Sequence, residues 1–208
     1  MPAGLTDLFV RLDKGGKKRN PATIFSHLMP GASDENLLKN AVTMSLTGYR
    51  TGDQVTVDVT IINDKTGHHV PTDSPLRNMI LLVAAADGSG QSLVLLDGPT
   101  VPDWGGIGDP GEGYYAGMPG KAYAKVLQEL WTEVSPTGAY WNHTRVISDN
   151  RLAAFASDTN TFVFSAPAEG EATVEVKLLF RRAFITLRDQ KGWNTPDIMM
   201  AQETIGVR

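Results

Sequence analysis

The chain has 208 residues, 41% hydrophobic and 20% charged, with 19 Lys+Arg against 23 Asp+Glu for a net charge of -4. That length supports a real hydrophobic core without staples, and the charge balance argues against a nucleic-acid binder, which carries a basic face. There is no cysteine, which excludes disulfides, thiol catalysis, cysteine-ligated zinc or iron–sulfur sites and covalent attachment of c-type haem within these residues.

Residues 1–40 read as an N-terminal linker segment, partly irregular. Basic residues between Met1 and Lys18 have no apolar stretch behind them, so the segment does not read as a signal peptide. The reading is either a cytoplasmic protein or a mature or excised piece of an exported one. Asp13 to Pro21 is basic, Gly-containing and Pro-terminated, which predicts an exposed, poorly ordered stretch. Ser33-Asp34-Glu35-Asn36 is a helix-start signal for a short turn through Leu38.

From residue 41 the period changes to two. Val42, Met44 and Leu46 alternate with polar residues, Arg50 to Asp53 is a turn, and Val55, Val57, Val59 and Ile61 alternate with Thr56, Asp58 and Thr60. This predicts two antiparallel strands with one buried face each. A loop spans Asn63 to Pro75. Arg77 to Ala86 is an apolar strand, too short to approach the ~18 residues of a membrane span. Asp87 to Gly90 then predicts a hairpin turn, with Gln91 to Leu96 returning beside it.

Residues 97–120 are punctuated by Gly and Pro and read as a long loop, the kind that is often functional or lid-like. In Lys121 to Val134 the spacing of Tyr123, Leu127 and Leu130/Trp131 favours a helix over a strand. Thr144 to Leu152 is mixed. Thr161 to Ser165 and Ala172 to Phe180 are strands around a Glu169-Gly170-Glu171 hairpin turn, Arg181 to Trp193 is a short helix, and Ile198 to Val207 a closing strand. Together these predict a mainly β fold: an antiparallel, immunoglobulin-like β-sandwich over residues 41–208 with one or two short helices and a long loop. No phosphate-binding Gly loop joins a strand to a helix.

Residues 64–73 combine His68 and His69 with Asp64 and Asp73. Neutral imidazoles and carboxylates are metal donors, and an imidazole also suits haem iron, so Asp64, His68, His69 and Asp73 are candidate ligands. The competing reading is structural: one His is buried and bonds the loop backbone, Pro71 fixes the loop, and Thr72 and Asp73 bond nearby amides. His27 is a lone imidazole upstream of the strands. Asp149, Arg151 and Asp158 read as a salt-bridged turn, since no dense calcium loop surrounds them. Trp104, Tyr114, Tyr115, Tyr140 and Trp141 either line a groove or cap the sandwich. A hydrolase built on His68 or His143 needs a nucleophile and an orienting acid that nothing here singles out.

Gly67-His68-His69-Val70-Pro71-Thr72, followed by Arg77 and the strand ending Ala86-Asp87-Gly88, resembles the Gly-His-x-x-Pro-Thr-Gly segment of a β-rich domain near the C-terminal end of many multihaem c-type cytochromes, including relatives of cytochrome c554. Further markers are similar in the same order: Ser26-His27 with Pro30-Gly31-Ala32, Met118-Pro119-Gly120-Lys121, Asp149 with Arg151, Phe180-Arg181-Arg182-Ala183-Phe184, and Lys191-Gly192-Trp193. Two features depart from that pattern: Asp73 stands where the family usually has Gly, and there is no Cys-x-x-Cys-His.

The resemblance implies a haem-free tail domain of an exported cytochrome, located in the periplasm or outside the cell. It also implies electron transfer by haem c carried outside these residues, with no cofactor in this chain. The domain would serve as a non-catalytic accessory or interaction module. Its partners would be the haem-binding part of the parent and other redox proteins; nucleic acid and membrane spanning are not implied. His27 becomes a candidate distal haem ligand, and Gly67, His68, Pro71, Thr72 and Arg77 a structural motif loop. The alternative is a stand-alone β-sandwich that binds a glycan through Trp104, Tyr114 and Tyr115, or a divalent cation through Asp64 and Asp73.

Overall fold

A computed structural model describes residues 7–8, 10–25, 31, 34–72 and 74–208. The chain divides into two compact units, Met1–Gly31 and Ala32–Arg208. The first contains short 3-10 turns at Leu12–Lys14 and Pro21–Thr23 and an antiparallel bridge between Leu8 and Lys18. Most of its described side chains are exposed.

Among its described residues the second unit is a β-sandwich of nine strands: β1 (Thr43–Thr51), β2 (Gln54–Ile62), β3 (Asn78–Ala86), β4 (Leu95–Asp97), β5 (Gly120–Glu129), β6 (Thr144–Asp149), β7 (Ser157–Ser165), β8 (Ala172–Arg181) and β9 (Ile198–Val207). One sheet has the order β1-β2-β7-β4, the other β6-β5-β3-β8-β9, and the strand pairs are antiparallel. The core lies between them. Val55, Val57, Val59 and Ile61 of β2 and Phe162 and Phe164 of β7 face Met79, Leu81 and Val83 of β3 and Val174, Val176 and Leu178 of β8. The period-two reading of β1 and β2 therefore holds, with Val57 opposite Gly48 and Phe162.

Helix α1 (Glu35–Lys39) begins as its sequence predicts. Asp34 Oδ1 accepts from the Leu37 amide at 2.9 Å, and Leu38 enters the sandwich core. At the far side, β1 and β9 close together: a Cβ on Gly48 would lie 2.7 Å from Val207 Cγ2, so only a residue without a side chain fits this crossing.

Three expectations are corrected. Residues 120–129 form a strand, not a helix. Tyr123 enters the inter-sheet core, while Ala122, Ala124 and Val126 face outward under Trp104 and Phe184. With both faces covered, the strand loses the clean alternation that would mark it. The turn at Asp87 forms, with Gly90 N–H bonded to Asp87 O at 3.0 Å, but the returning chain leaves β3 after Leu93. It then crosses to the other sheet, where β4 pairs with β7. Likewise Glu169-Gly170-Glu171 joins β7 to β8 across the two sheets, so it is an inter-sheet turn and not a hairpin.

Segment 98–119 is a third layer, not a free lid. Its neck is closed by Val101 N–H to Met118 O (2.9 Å) and Gly117 N–H to Val101 O (2.8 Å), the pattern of a compact closed loop. Together with helix α2 (Ile185–Lys191) and the adjoining Phe184, it covers the outer face of β3 and β5 through Val101, Trp104 and Tyr115.

Candidate functional site

Residues 63–72 sit on one side of the sandwich, between the end of β2 and the segment after β6. Val70 and Leu152 exchange two backbone hydrogen bonds at 2.9 Å each. The centre of the arrangement is Asn63, fully buried. Its Nδ2 lies 2.7 Å from His68 O and 3.1 Å from both Leu152 O and Ala153 O. Its Oδ1 accepts from Thr66 Oγ1 at 2.6 Å, and its carbonyl accepts from Phe155 N–H at 2.8 Å. Phe155 is held at φ +61° with its ring exposed, a strained conformation for a bulky residue.

The histidine reading changes here. Both His68 and His69 are exposed, and the buried residue that satisfies the loop backbone is Asn63. His68 Nδ1 lies 2.9 Å from His69 O. Asp64 Oδ2 accepts from Thr43 Oγ1 at 2.9 Å. Gly67 is exposed, Pro71 is buried, and Arg77 Nη1 donates to Thr72 O at 3.3 Å. His27 and Asp73 lie outside the described residues. Among the described residues, no three His, Asp or Glu side chains gather closely enough to hold a metal ion.

Three other polar centres were not separable in the sequence. The first joins the sheets. Asp158 of β7 receives Lys121 Nζ at 2.7 and 2.9 Å, Tyr123 Oη at 2.7 Å and Asn160 Nδ2 at 2.7 Å. Burial alone would raise the Asp158 carboxyl, but these donors and the Lys121 charge outweigh it and hold the group below the ordinary carboxylate range. Burial, then the bond to Asp158, drives Tyr123 far above a free phenol.

The second centre is Arg181, 3% exposed, at the end of β8. It makes a two-bond pair with Asp197 (2.9 and 2.7 Å) and donates to Gly105 O at 2.9 Å and Gly113 O at 2.6 Å, under the Tyr115 ring. Beside it Arg188 holds Asp189 and Glu112 O, and Tyr114 Oη donates to Asp189 at 2.8 Å. Two adjoining clefts of about 320 and 510 Å³ lie here, both lined by Arg188, Trp193 and Thr195. Trp104 meets Phe184 edge-on at 5.3 Å. The aromatics of the long loop thus serve as cover for α2 and the sheet.

The third centre is Glu129, 8% exposed, at the end of β5. Its carboxylate accepts from Thr132 Oγ1 (2.5 Å), Thr137 Oγ1 (2.9 Å) and Asn142 Nδ2 (2.8 Å). Those bonds, the Thr132 one foremost, lower its pKa. They shape the connection from β5 to β6, which carries Trp131, Tyr140, Trp141 and His143 at the surface. Asp149 and Arg151 form the salt-bridged turn the sequence suggests, with Nε and Nη2 at 2.8 and 2.7 Å, but Asp158, read with them, bonds Lys121, Tyr123 and Asn160 instead.

No protein-family model matches the chain, and no curated protein matches it. Among solved structures, the penta-heme cytochrome c552 from Thermochromatium tepidum aligns with a TM-score of 0.64 at 19% identity. The alignment covers 89% of this chain, which spans 44% of the length of that one; the two share a fold. The collagen-binding domain from a Staphylococcus aureus adhesin aligns at a TM-score of 0.32 and 8% identity, over 79% of this chain and 96% of that domain, too low to carry an argument.

Proposed function

We propose that this chain is a non-catalytic interaction domain of an exported multihaem c-type cytochrome, whose haems are held by residues outside this sequence. The observation that carries the reading is the fold alignment with a penta-heme cytochrome, which takes in 89% of this chain and 44% of that protein. The lack of any cysteine leaves no point of covalent haem attachment here, so electron transfer belongs to the remainder of such a protein. The anchored ionisable groups support a scaffolding role: half-buried Asp158 and buried Arg181 and Glu129 are each engaged by two or more partners that hold strands or loops in place.

In this reading the domain works in the periplasm or outside the cell, against the haem-binding part of its parent and other redox proteins. Among the described residues, no helix is long and apolar enough to cross a membrane. His27 supplies a distal imidazole to one of the parent's haems, which requires only that Nε2 reach the iron.

The test is the native gene product, examined by haem staining and mass. A haem-positive band well above 22.5 kDa is expected; a haem-free product of that mass overturns the reading. In the haem-loaded protein, His27→Ala should convert one low-spin haem to a high-spin spectrum, and an unchanged spectrum removes His27 as a ligand.

A further inference from the structure

Residues 130–143 present large rings to solvent. Trp131 is 75% exposed, Tyr140 92% and Trp141 72%, although chains seldom leave large rings in water without a use for them. The connection is built, not slack. The Glu129 carboxylate bonds three of its side chains, and Glu129 N–H meets Val134 O while Leu130 N–H meets His143 O. Glu133 holds a left-handed backbone at φ +58°. Burying a carboxylate against neutral donors alone is costly, and here it fixes the shape that carries the rings. Preorganised Trp and Tyr are the residues on which protein contacts most often turn.

β6 continues this surface. It is the outer strand of its sheet, and Val146 and Ile147 are half exposed. A bulge leaves Ile147 without a residue opposite on β5, and a bulged edge is a poor template for an added strand. A partner therefore docks on side chains and not on backbone.

We propose that residues 130–143 and β6 form a two-fold contact between two copies of this chain. Three observations choose that occupant. The three rings, at roughly 150–250 Å² each, with half-exposed Val134, Val146 and Ile147 close to them along the chain, approach the ~800 Å² that one side of a standard interface buries. The surface is close to neutral: Glu133 and Arg145 are of opposite sign, and Asp149 is paired with the neighbouring Arg151, so like copies meet with little repulsion. The rings sit edge-to-face, Trp131 on His143 at 5.1 Å and Tyr140 on Trp141 at 5.0 Å. Each copy thus offers both the edges and the faces that its mate requires. A glycan platform would instead present flat rings beside hydrogen-bonding groups. This inference is independent of the haem reading.

The test is sedimentation equilibrium on the 208-residue chain. A concentration-dependent rise from 22.5 to twice that mass is expected. Trp131→Ser with Trp141→Ser should weaken association at least tenfold with thermal unfolding unchanged, while Trp193→Ser leaves it intact. Arg145→Glu, an exposed charge reversal, should weaken it and make it respond to salt, which keeps the test valid if the double variant misfolds. A chain that stays monomeric up to about 1 mM, or a dimer indifferent to both variants, overturns the proposal.

Discussion

Tyr123 Oη donates to Asp158 Oδ2 at 2.7 Å, and that bond joins β5 of one sheet to β7 of the other. The phenol is 1% exposed, so it has no water to turn to. Tyr123→Phe should cost about 1.5–3 kcal/mol, the usual worth of a hydrogen bond to a charged group. Asp158→Ala should cost more, because it strands the phenol as well as the Lys121 ammonium. Urea unfolding of the three proteins orders them.

The same pair sets the pH response. Asp158 titrates below its unfolded value, so its contribution is present above about pH 4 and is lost as pH falls through the folded pKa. Tyr123 titrates above its unfolded value, so its contribution is present below about pH 10 and is lost as pH rises beyond it. The melting temperature should therefore drop at both extremes, and Tyr123→Phe should flatten the alkaline limb selectively.

Asn63 and His68 separate two accounts of the 63–72 loop. Asn63→Ala removes a buried amide within reach of three carbonyls and should cost about 2–3 kcal/mol. His68 is exposed, and His68→Ala should stay within about 0.5 kcal/mol of the parent. A large loss from His68→Ala would return that imidazole to the structural role first considered for it.

Arg181→Met should free the long loop. It strands the Asp197 carboxylate and the Gly105 and Gly113 carbonyls, a loss of about 3–5 kcal/mol for a broken buried pair. Limited proteolysis should then cut within residues 98–119, which the parent protects.

Val57→Asp places a carboxylate at a fully buried position between Gly48 and Phe162. It should cost several kcal/mol and leave the chain unfolded by circular dichroism.

What could be read in advance was local. β2 declares itself because one face is valine and isoleucine and the other threonine and aspartate. The start of α1 declares itself because Asp34 caps within three residues, and β9 runs from Ile198 to Val207 as its pattern suggests. β5 hides because both of its faces are covered, and the spacing of Tyr123 and Leu127 then imitates a helix. The partner of β4 hides because nothing near Leu95 specifies a strand that lies around residue 164. Asn63 and Glu129 hide for a related reason. Each is an ordinary polar residue whose importance comes from carbonyls or donors that the folded chain brings to it, and only the fold counts those.

The layer formed by residues 98–119 and α2 has a consequence for how the domain meets its surroundings. It covers the outer face of β3 and β5, while Thr173 of β8 and Gln202 and Thr204 of β9 stay exposed. On the outer face of the smaller sheet Thr60 bonds Thr159 and Thr161 bonds Asp58, beside exposed Tyr49, Val94 and Leu96. The layer therefore removes Ile80, Ala122 and Ala124 from the reach of any other molecule and leaves Tyr49, Val94 and Leu96 of the smaller sheet to meet solvent.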